Sequence, residues 1–350
     1  MRLPSLSITR PLLAWLREDR QWQTLDWRVR AMLAWKAGLG SLNAKLSRAQ
    51  QASATSRQPL APLLILGPWR SGTTVMHELL SAATGWPTPL TWQCMDPTAF
   101  QLGSAPRRDV VTARPMDGLA LGSLSPQEDE FALLALGVPS AYRAFWMPHR
   151  LTSLLPTLEQ QYWLDEPQWL DTWEGFLRAV HRGAAPGHGL LLKSPNHTFR
   201  LQAILGRHPQ ARVVWMLRDP QAVFFSNRKM WRTMFAEHGL TPADEAALDH
   251  FLARALQASA EALEWALAHL SADQLVCCTQ EALRDAPLAE AQRVLAALHL
   301  PADEAALEAA IASTRSGRVE HYPQAPPDCA QAAIARLREI QADAAARFAA

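Results

Sequence analysis

Four short runs of the chain, 63–66, 190–192, 212–217 and 274–278, are apolar at successive rather than alternate positions. Each is too brief for a helix and reads as a strand buried on both faces. Between the runs, apolar residues recur at helical spacing. This is most regular over 243–270, where Leu248, Phe251, Leu252, Leu256, Leu263 and Leu267 fall near one face. Strands alternating with helices predict an α/β fold, with a central parallel sheet covered by helices on both faces. In such sheets ligands bind beyond the carboxyl ends of the strands, and three of the four runs lead straight into polar residues.

Outside this alternation the pattern divides the chain. Residues 10–48 read as helical and carry Leu13, Trp15, Leu16, Trp22, Leu25, Trp27, Met32 and Trp35 among many arginines. A Ser-, Ala-, Gln- and Pro-rich tract over 50–62 reads as a linker. The expected organisation is therefore an N-terminal helical segment with linker over 1–55 and one main domain over 56–350. Within that domain, residues 84–126 are rich in Pro, Gly and Ser and read as an irregular insertion that shapes a substrate pocket. The N-terminal stripe is compatible with a membrane or lipid contact, but packing on its own domain or in a homodimer is the favoured expectation.

Composition narrows the function. At 49% apolar residues over 350 positions the chain can bury a large core, and a formal net charge of +1 provides no bulk field for nucleic acid. Cys94, Cys277, Cys278 and Cys329 form no C-x-x-C pair and no His pair sits at metal spacing, so neither a disulfide framework nor a metal is called for. A cytoplasmic location is expected, with no signal peptide and no transmembrane segment.

The chemistry begins after the first strand. Leu66 runs into Gly67-Pro-Trp-Arg-Ser-Gly-Thr-Thr74, followed by a helix through Val75, Met76, Leu79 and Leu80. Strand, glycine loop and helix in that order place backbone N–H groups and a helix dipole around a phosphate. The loop is nearly G-x-x-x-x-G-K-[ST], but Thr73 stands where a nucleotide kinase has its lysine, and the loop's cation is Arg70. Ser71, Gly72, Thr73 and Thr74 complete the phosphate-binding set. After the third strand, Arg218-Asp219-Pro220 reads as a helix start with Asp219 as cap, and Ser226 follows within its second turn. Arg218 and Ser226 suit a second phosphate, although Arg218 with Asp219 also suits a capping salt bridge. After the second strand comes Lys193-Ser-Pro-Asn-His197, with Ser194 expected to cap a helix that Pro195 opens. Lys193 is a mobile point charge at a strand end. His197 and the acids Glu128, Asp129 and Glu130 are candidate bases. Three acids also suit the dipole of the helix beginning near Phe131, and a lone histidine suits a cap.

Together these motifs resemble the sulfotransferase superfamily, over roughly residues 60–320 and in the expected order. R-S-G-T-T resembles its 5′-phosphosulfate loop, R-D-P…S its 3′-phosphate motif, and Q-E-D-E-F-A-L and K-S-P-x-H phrases of its bacterial members. The resemblance implies a P-loop-like sulfotransferase fold and transfer of a sulfuryl group from 3′-phosphoadenosine-5′-phosphosulfate (PAPS) to a hydroxyl of a small-molecule or lipid acceptor, without metal. It implies donor contacts from Arg70, Ser71, Gly72, Thr73, Thr74, Arg218 and Ser226. Arg318, in Arg315-Ser-Gly-Arg318, lies where the family carries a basic loop over the 3′-phosphate. Lys193 and Arg70 are expected to stabilise charge on the leaving group, with His197, Glu128 or Glu130 as base and Asp129 ranked below them. Val75 replaces the tryptophan with which aryl sulfotransferases stack adenine, so that contact comes from elsewhere. His321, Tyr322, Pro323 and Trp92 are further pocket candidates. Two other readings remain: a P-loop kinase of a small molecule, and a non-catalytic nucleotide-binding scaffold.

Overall fold

The computed structural model describes residues 7–52, 60–109, 111–114, 120–313, 322 and 324–348. Its strands are β1 (Pro62–Leu66), β2 (Thr112–Ala113), β3 (Ala120–Leu121), β4 (Leu190–Lys193), β5 (Arg212–Leu217) and β6 (Leu275–Thr279). β2 and β3 form a small antiparallel pair inside the insertion, while the other four make one parallel sheet in the order β4-β1-β5-β6.

The successive apolar residues of these strands have a direct cause. Side chains alternate across a sheet, so Leu64, Leu66, Leu192, Val213 and Trp215 enter one core while Leu63, Ile65, Leu191, Val214 and Met216 enter the other. The smaller core is closed by the helices Thr73–Thr84, Pro287–Ala297 and Glu304–Ser313; the larger by Pro220–His238, Glu245–His269 and Asp328–Arg347. Each aliphatic side chain buried this fully contributes about 1.5–3 kcal/mol of transfer free energy.

Neighbouring β1 and β4 send their following helices to opposite faces, since Met76 and Leu79 join the smaller core and Phe199 and Ile204 the larger. That divergence opens a crevice beyond their carboxyl ends. The register pairs Ile65 with Lys193 and Leu66 with Trp215, so the loop after β1 emerges between the ends of β4 and β5.

Two local expectations change. The segment after Lys193 begins as a 3₁₀ turn over Pro195–Arg200 before the α-helix Leu201–Arg207, and the Ser194 side chain makes no cap bond; its hydroxyl is buried without a partner. The N-terminal helical stretch is broken twice, because Asp19 accepts from the Gln21 N–H and Asp26 from the Arg28 N–H. Three pieces result: Arg10–Arg17, a 3₁₀ turn Arg20–Thr24, and Trp27–Ala52. Leu12, Leu16, Trp15, Trp22, Leu33 and Ala37 join the larger core, whereas Trp27 and Trp35 are 66% and 67% exposed and do not pack on their own domain.

Candidate active site

The glycine loop is held open by its backbone. Gly67, Arg70 and Gly72 all have positive φ, at 127°, 71° and 98°. A Cβ at Gly67 would lie 2.6 Å from the Met216 carbonyl oxygen, so only glycine fits beside β5. Gly72 precedes the first turn of Thr73–Thr84, whose leading N–H groups have no acceptor within the helix and are available to an anion. Three ties fix the loop: Thr198 Oγ1 lies 3.2 Å from both Gly67 N and Gly67 O, Asn227 Nδ2 donates to Trp69 O at 2.8 Å, and Ser71 Oγ to Pro68 O at 2.8 Å. The Trp69 ring is buried among Phe199, Trp231, Tyr142 and Phe251.

Arg70, Arg218 and Ser226, far apart in sequence, meet at this loop. Arg70 Nε donates to Ser226 Oγ at 3.2 Å, and an Arg218 N–H donates to the Arg70 carbonyl. Burial, and then the neighbouring Arg70 charge, hold the Arg218 guanidinium below its usual pKa. The Asp219 charge acts on Arg218 only weakly; its carboxylate accepts from Ala222 N–H at 2.8 Å and pairs with Arg338 at 3.0 Å. Two guanidinium groups thus crowd one another at the mouth of a helix, where a multiply charged anion would relieve the repulsion.

A second cluster faces the end of β4. Three consecutive acids pair one-to-one with three cationic or titratable side chains. Lys193 Nζ donates to Glu128 Oε1 at 2.7 Å, His197 Nε2 lies 2.8 Å from Asp129 Oδ2, and Arg200 makes a two-pronged contact with Glu130, one prong of 3.1 Å. His197, Asp129 and Glu130 are fully buried. His197 is packed against Trp169 and Trp173, and the Arg200 guanidinium lies 4.0 Å from the Trp163 ring centre. Asp129 caps nothing; it also accepts from Trp173 Nε1 at 2.7 Å. Burial pushes its pKa up, but the charge and hydrogen bond of His197, with Trp173 and Arg200, outweigh this and hold it below the usual value. Glu128 alone of the three keeps access, its side chain 14% exposed. Its second oxygen accepts from Tyr142 O–H at 2.6 Å. Burial, then the Glu128 charge, raise the Tyr142 pKa well above normal, so the phenol stays a donor.

Several residues here carried no signal in the sequence. Tyr142, Thr198 and Asn227 are ordinary polar residues of helices and turns until the fold aims them. Glu78, one turn into the loop helix, is a half-buried carboxyl with a pKa raised by burial, an effect Arg114 and Lys193 partly offset. Burial and then Lys193 hold the pKa of His77 well down. Tyr322 stacks on Phe225 with ring centres 5.6 Å apart, lining a groove of about 320 Å³ with Arg228, Lys229 and Arg232 beside Ser226. Trp92 packs edge-on against Phe100 within the insertion. Arg315, Arg318, His321 and Pro323 lie outside the described residues. No helix among the described residues is long and apolar enough to cross a membrane.

Comparison with known proteins bears on this geometry. The sequence profile of the sulfotransferase family matches residues 62–304. An omega-hydroxy-beta-dihydromenaquinone-9 sulfotransferase, found in both Mycobacterium tuberculosis and Mycobacterium bovis, is 32% identical over 189 residues, 51% of this chain and 47% of the relative. The match thus spans about half the length of those curated relatives. Among solved structures, sulfotransferase STF1 from M. tuberculosis superposes with TM-score 0.56 at 16% identity, over 91% of this chain and 84% of its own. STF9 from Mycobacterium avium gives 0.54 at 19% identity, over 87% and 81%. At such identities the likeness is one of fold.

Proposed function

The chain belongs to the sulfotransferase family, and from that premise we propose that it transfers a sulfuryl group from PAPS to the hydroxyl of an apolar small-molecule or lipid acceptor. One observation carries the reading: the Lys193–Glu128 pair stands at the end of β4, on the strand beside the glycine loop. The loop from Gly67 to Thr74 binds the 5′-phosphosulfate through backbone N–H groups, the Ser71, Thr73 and Thr74 hydroxyls and Arg70. Arg218 and Ser226 take the 3′-phosphate, and the Phe225–Tyr322 wall supplies the adenine contact that Val75 does not. Arg318 would add to the same end.

In the transfer, the acceptor oxygen attacks sulfur as the bond from sulfur to the bridging phosphate oxygen breaks, and adenosine 3′,5′-bisphosphate departs. Negative charge grows on that bridging oxygen, and Lys193 with Arg70 stabilises it. Lys193 has three N–H donors, so it can turn one to the leaving oxygen and keep Glu128 with another. Glu128 receives the acceptor proton, held by Tyr142 in a fixed orientation. We assign His197 and Glu130, both sealed and paired, to structure. Glu78 is a second candidate for the proton, favoured by its raised pKa.

The insertion over 84–126 forms the acceptor side, and the lipid-like hydroxyl substrate named for the mycobacterial relatives sets the class we propose. We place the reaction in a reducing cytoplasm, consistent with the free, buried thiols of Cys94, Cys277 and Cys278. The test is direct. With ³⁵S-labelled PAPS and a panel of hydroxylated lipids and phenols, label should appear on an acceptor with stoichiometric release of adenosine 3′,5′-bisphosphate. A protein that binds neither PAPS nor the bisphosphate, or that phosphorylates the panel from ATP, would overturn the proposal.

A further inference from the structure

The helix Trp27–Ala52 is apolar on two opposite faces. Leu33, Ala37 and Gly40 turn inward, and Gly40 lies so close to Ile8 that an added Cβ would meet its carbonyl oxygen. On the other side, Trp27, Ala31, Trp35, Leu39, Leu42 and Leu46 follow at intervals of three or four and are all exposed. Five of the nine large apolar side chains exposed among the described residues are on this one helix, and three more (Leu102, Val111 and Leu124) are in the insertion. A contiguous outward stripe of this kind needs an explanation that single exposed leucines do not.

Charge decides between occupants. The helix contains Arg28, Arg30, Lys36, Lys45 and Arg48 and no acidic residue. A second copy meeting this face symmetrically would set its cations against the same cations, and the helix brings no carboxylate to answer them. An anionic lipid surface answers Arg28 and Lys45, which are exposed and flank the stripe. Tryptophan prefers the boundary between headgroups and acyl chains, and basic side chains flanking an apolar stripe reach the headgroup phosphates. The inner side of the helix adjoins the insertion, since the Asp96 charge acts on Lys36.

We infer that Trp27–Ala52 is a docking surface for anionic membranes, lying flat with the stripe from Trp27 to Leu46 seated in the headgroup region. This rests on neither the donor nor the acceptor assigned above. The test is co-sedimentation of the full chain with vesicles of phosphatidylcholine alone, and of phosphatidylcholine containing one-third phosphatidylglycerol. Light scattering after gel filtration reports the oligomeric state in parallel. Binding should require phosphatidylglycerol and weaken with added salt. Trp27→Ala with Trp35→Ala should lower partitioning by about tenfold or more, and Arg28→Glu with Lys45→Glu by roughly fivefold or more per site. The thermal unfolding midpoint should be unchanged in both variants, which certifies the fold. Absent vesicle binding, or binding that neither pair of substitutions reduces, would overturn the inference. So would a dimer that the tryptophan substitutions dissociate while no vesicle binding is seen, which would assign the stripe to a second copy.

Discussion

Two groups of charged side chains stand within one sheet's carboxyl edge, and they are arranged in opposite ways. At the loop after β1, Arg70 and Arg218 lie together, tied to a hydroxyl and a backbone carbonyl, and burial with mutual repulsion depresses the Arg218 pKa. At the end of β4, Lys193, His197 and Arg200 each meet one acid of Glu128-Asp129-Glu130. The first arrangement sets two guanidinium groups side by side, the place we propose for the donor's phosphates; the second pairs each cationic or titratable group with an acid. Such pairs are expensive to bury and more expensive to break, which is how they pin the start of the helix Glu130–Leu136 to the segment that follows β4. The exception lies at the top of the second group. Glu128 is partly open and doubly held, and it is to this pair that we assign chemistry.

The largest effect should come from breaking that exception. Glu128→Gln keeps the shape and one acceptor oxygen but removes the carboxylate proposed as base, and kcat should fall by about 10²–10⁴-fold. The affinity for adenosine 3′,5′-bisphosphate should stay unchanged. Steady-state turnover together with calorimetric binding checks both halves. A variant within a few-fold of wild type, alongside an inactive Glu78→Gln, would move the base to the loop helix. Next comes a pair that we assign to structure. Glu130→Gln leaves Arg200 charged and buried, and should cost about 3–5 kcal/mol of stability. Replacing both residues, by Glu130→Leu with Arg200→Met, should recover most of that. Denaturant midpoints measure the cycle, and a double variant as unstable as the single would show the charges themselves to be needed.

How much of this the sequence reveals depends on how local the cause is. The four strands are legible because burial on both faces forces apolar residues at every position, and the loop because strand, glycines and helix start are contiguous. Arg218 and Ser226 are visible for the same reason, sitting on one strand end and one helix turn. The ion pairs are not legible, since their members are 65 to 70 residues apart and only the tertiary fold brings them into step. Nor could sequence separate Glu128 from Glu130: two positions around a forming helix turn one carboxylate to the crevice and the other into the core. The N-terminal stripe shows the same limit from the other side. Spacing finds the apolar positions of 27–46, but not which face the domain leaves uncovered.

The donor-side cluster gives a smaller but more specific effect. Arg218→Ala removes charge-assisted contacts to one phosphate, worth about 1.5–3 kcal/mol, or roughly ten- to a hundredfold in affinity. The loss should appear with adenosine 3′,5′-bisphosphate and vanish with adenosine 5′-phosphate, which lacks the 3′ group. Equal losses for the two nucleotides would move Arg218 to the 5′ end.

The smallest predicted effect distinguishes the balanced group by its response to acid. Asp129 has a folded-state pKa below its unfolded value, so its contribution is fully present above about pH 4 and is lost as pH falls through the folded value. Each unit of that depression corresponds to about 1.4 kcal/mol. Wild-type stability should therefore fall more steeply than that of Asp129→Asn below about pH 4, where the variant has no carboxylate left to protonate. Near neutrality the variant is the less stable of the two, so the curves converge on acidification. Urea midpoints from pH 6 down to the lowest pH at which both proteins fold measure this (roughly pH 3 for a domain of ordinary stability). Parallel curves would mean that His197 and Trp173 hold the buried group by shape rather than by its charge.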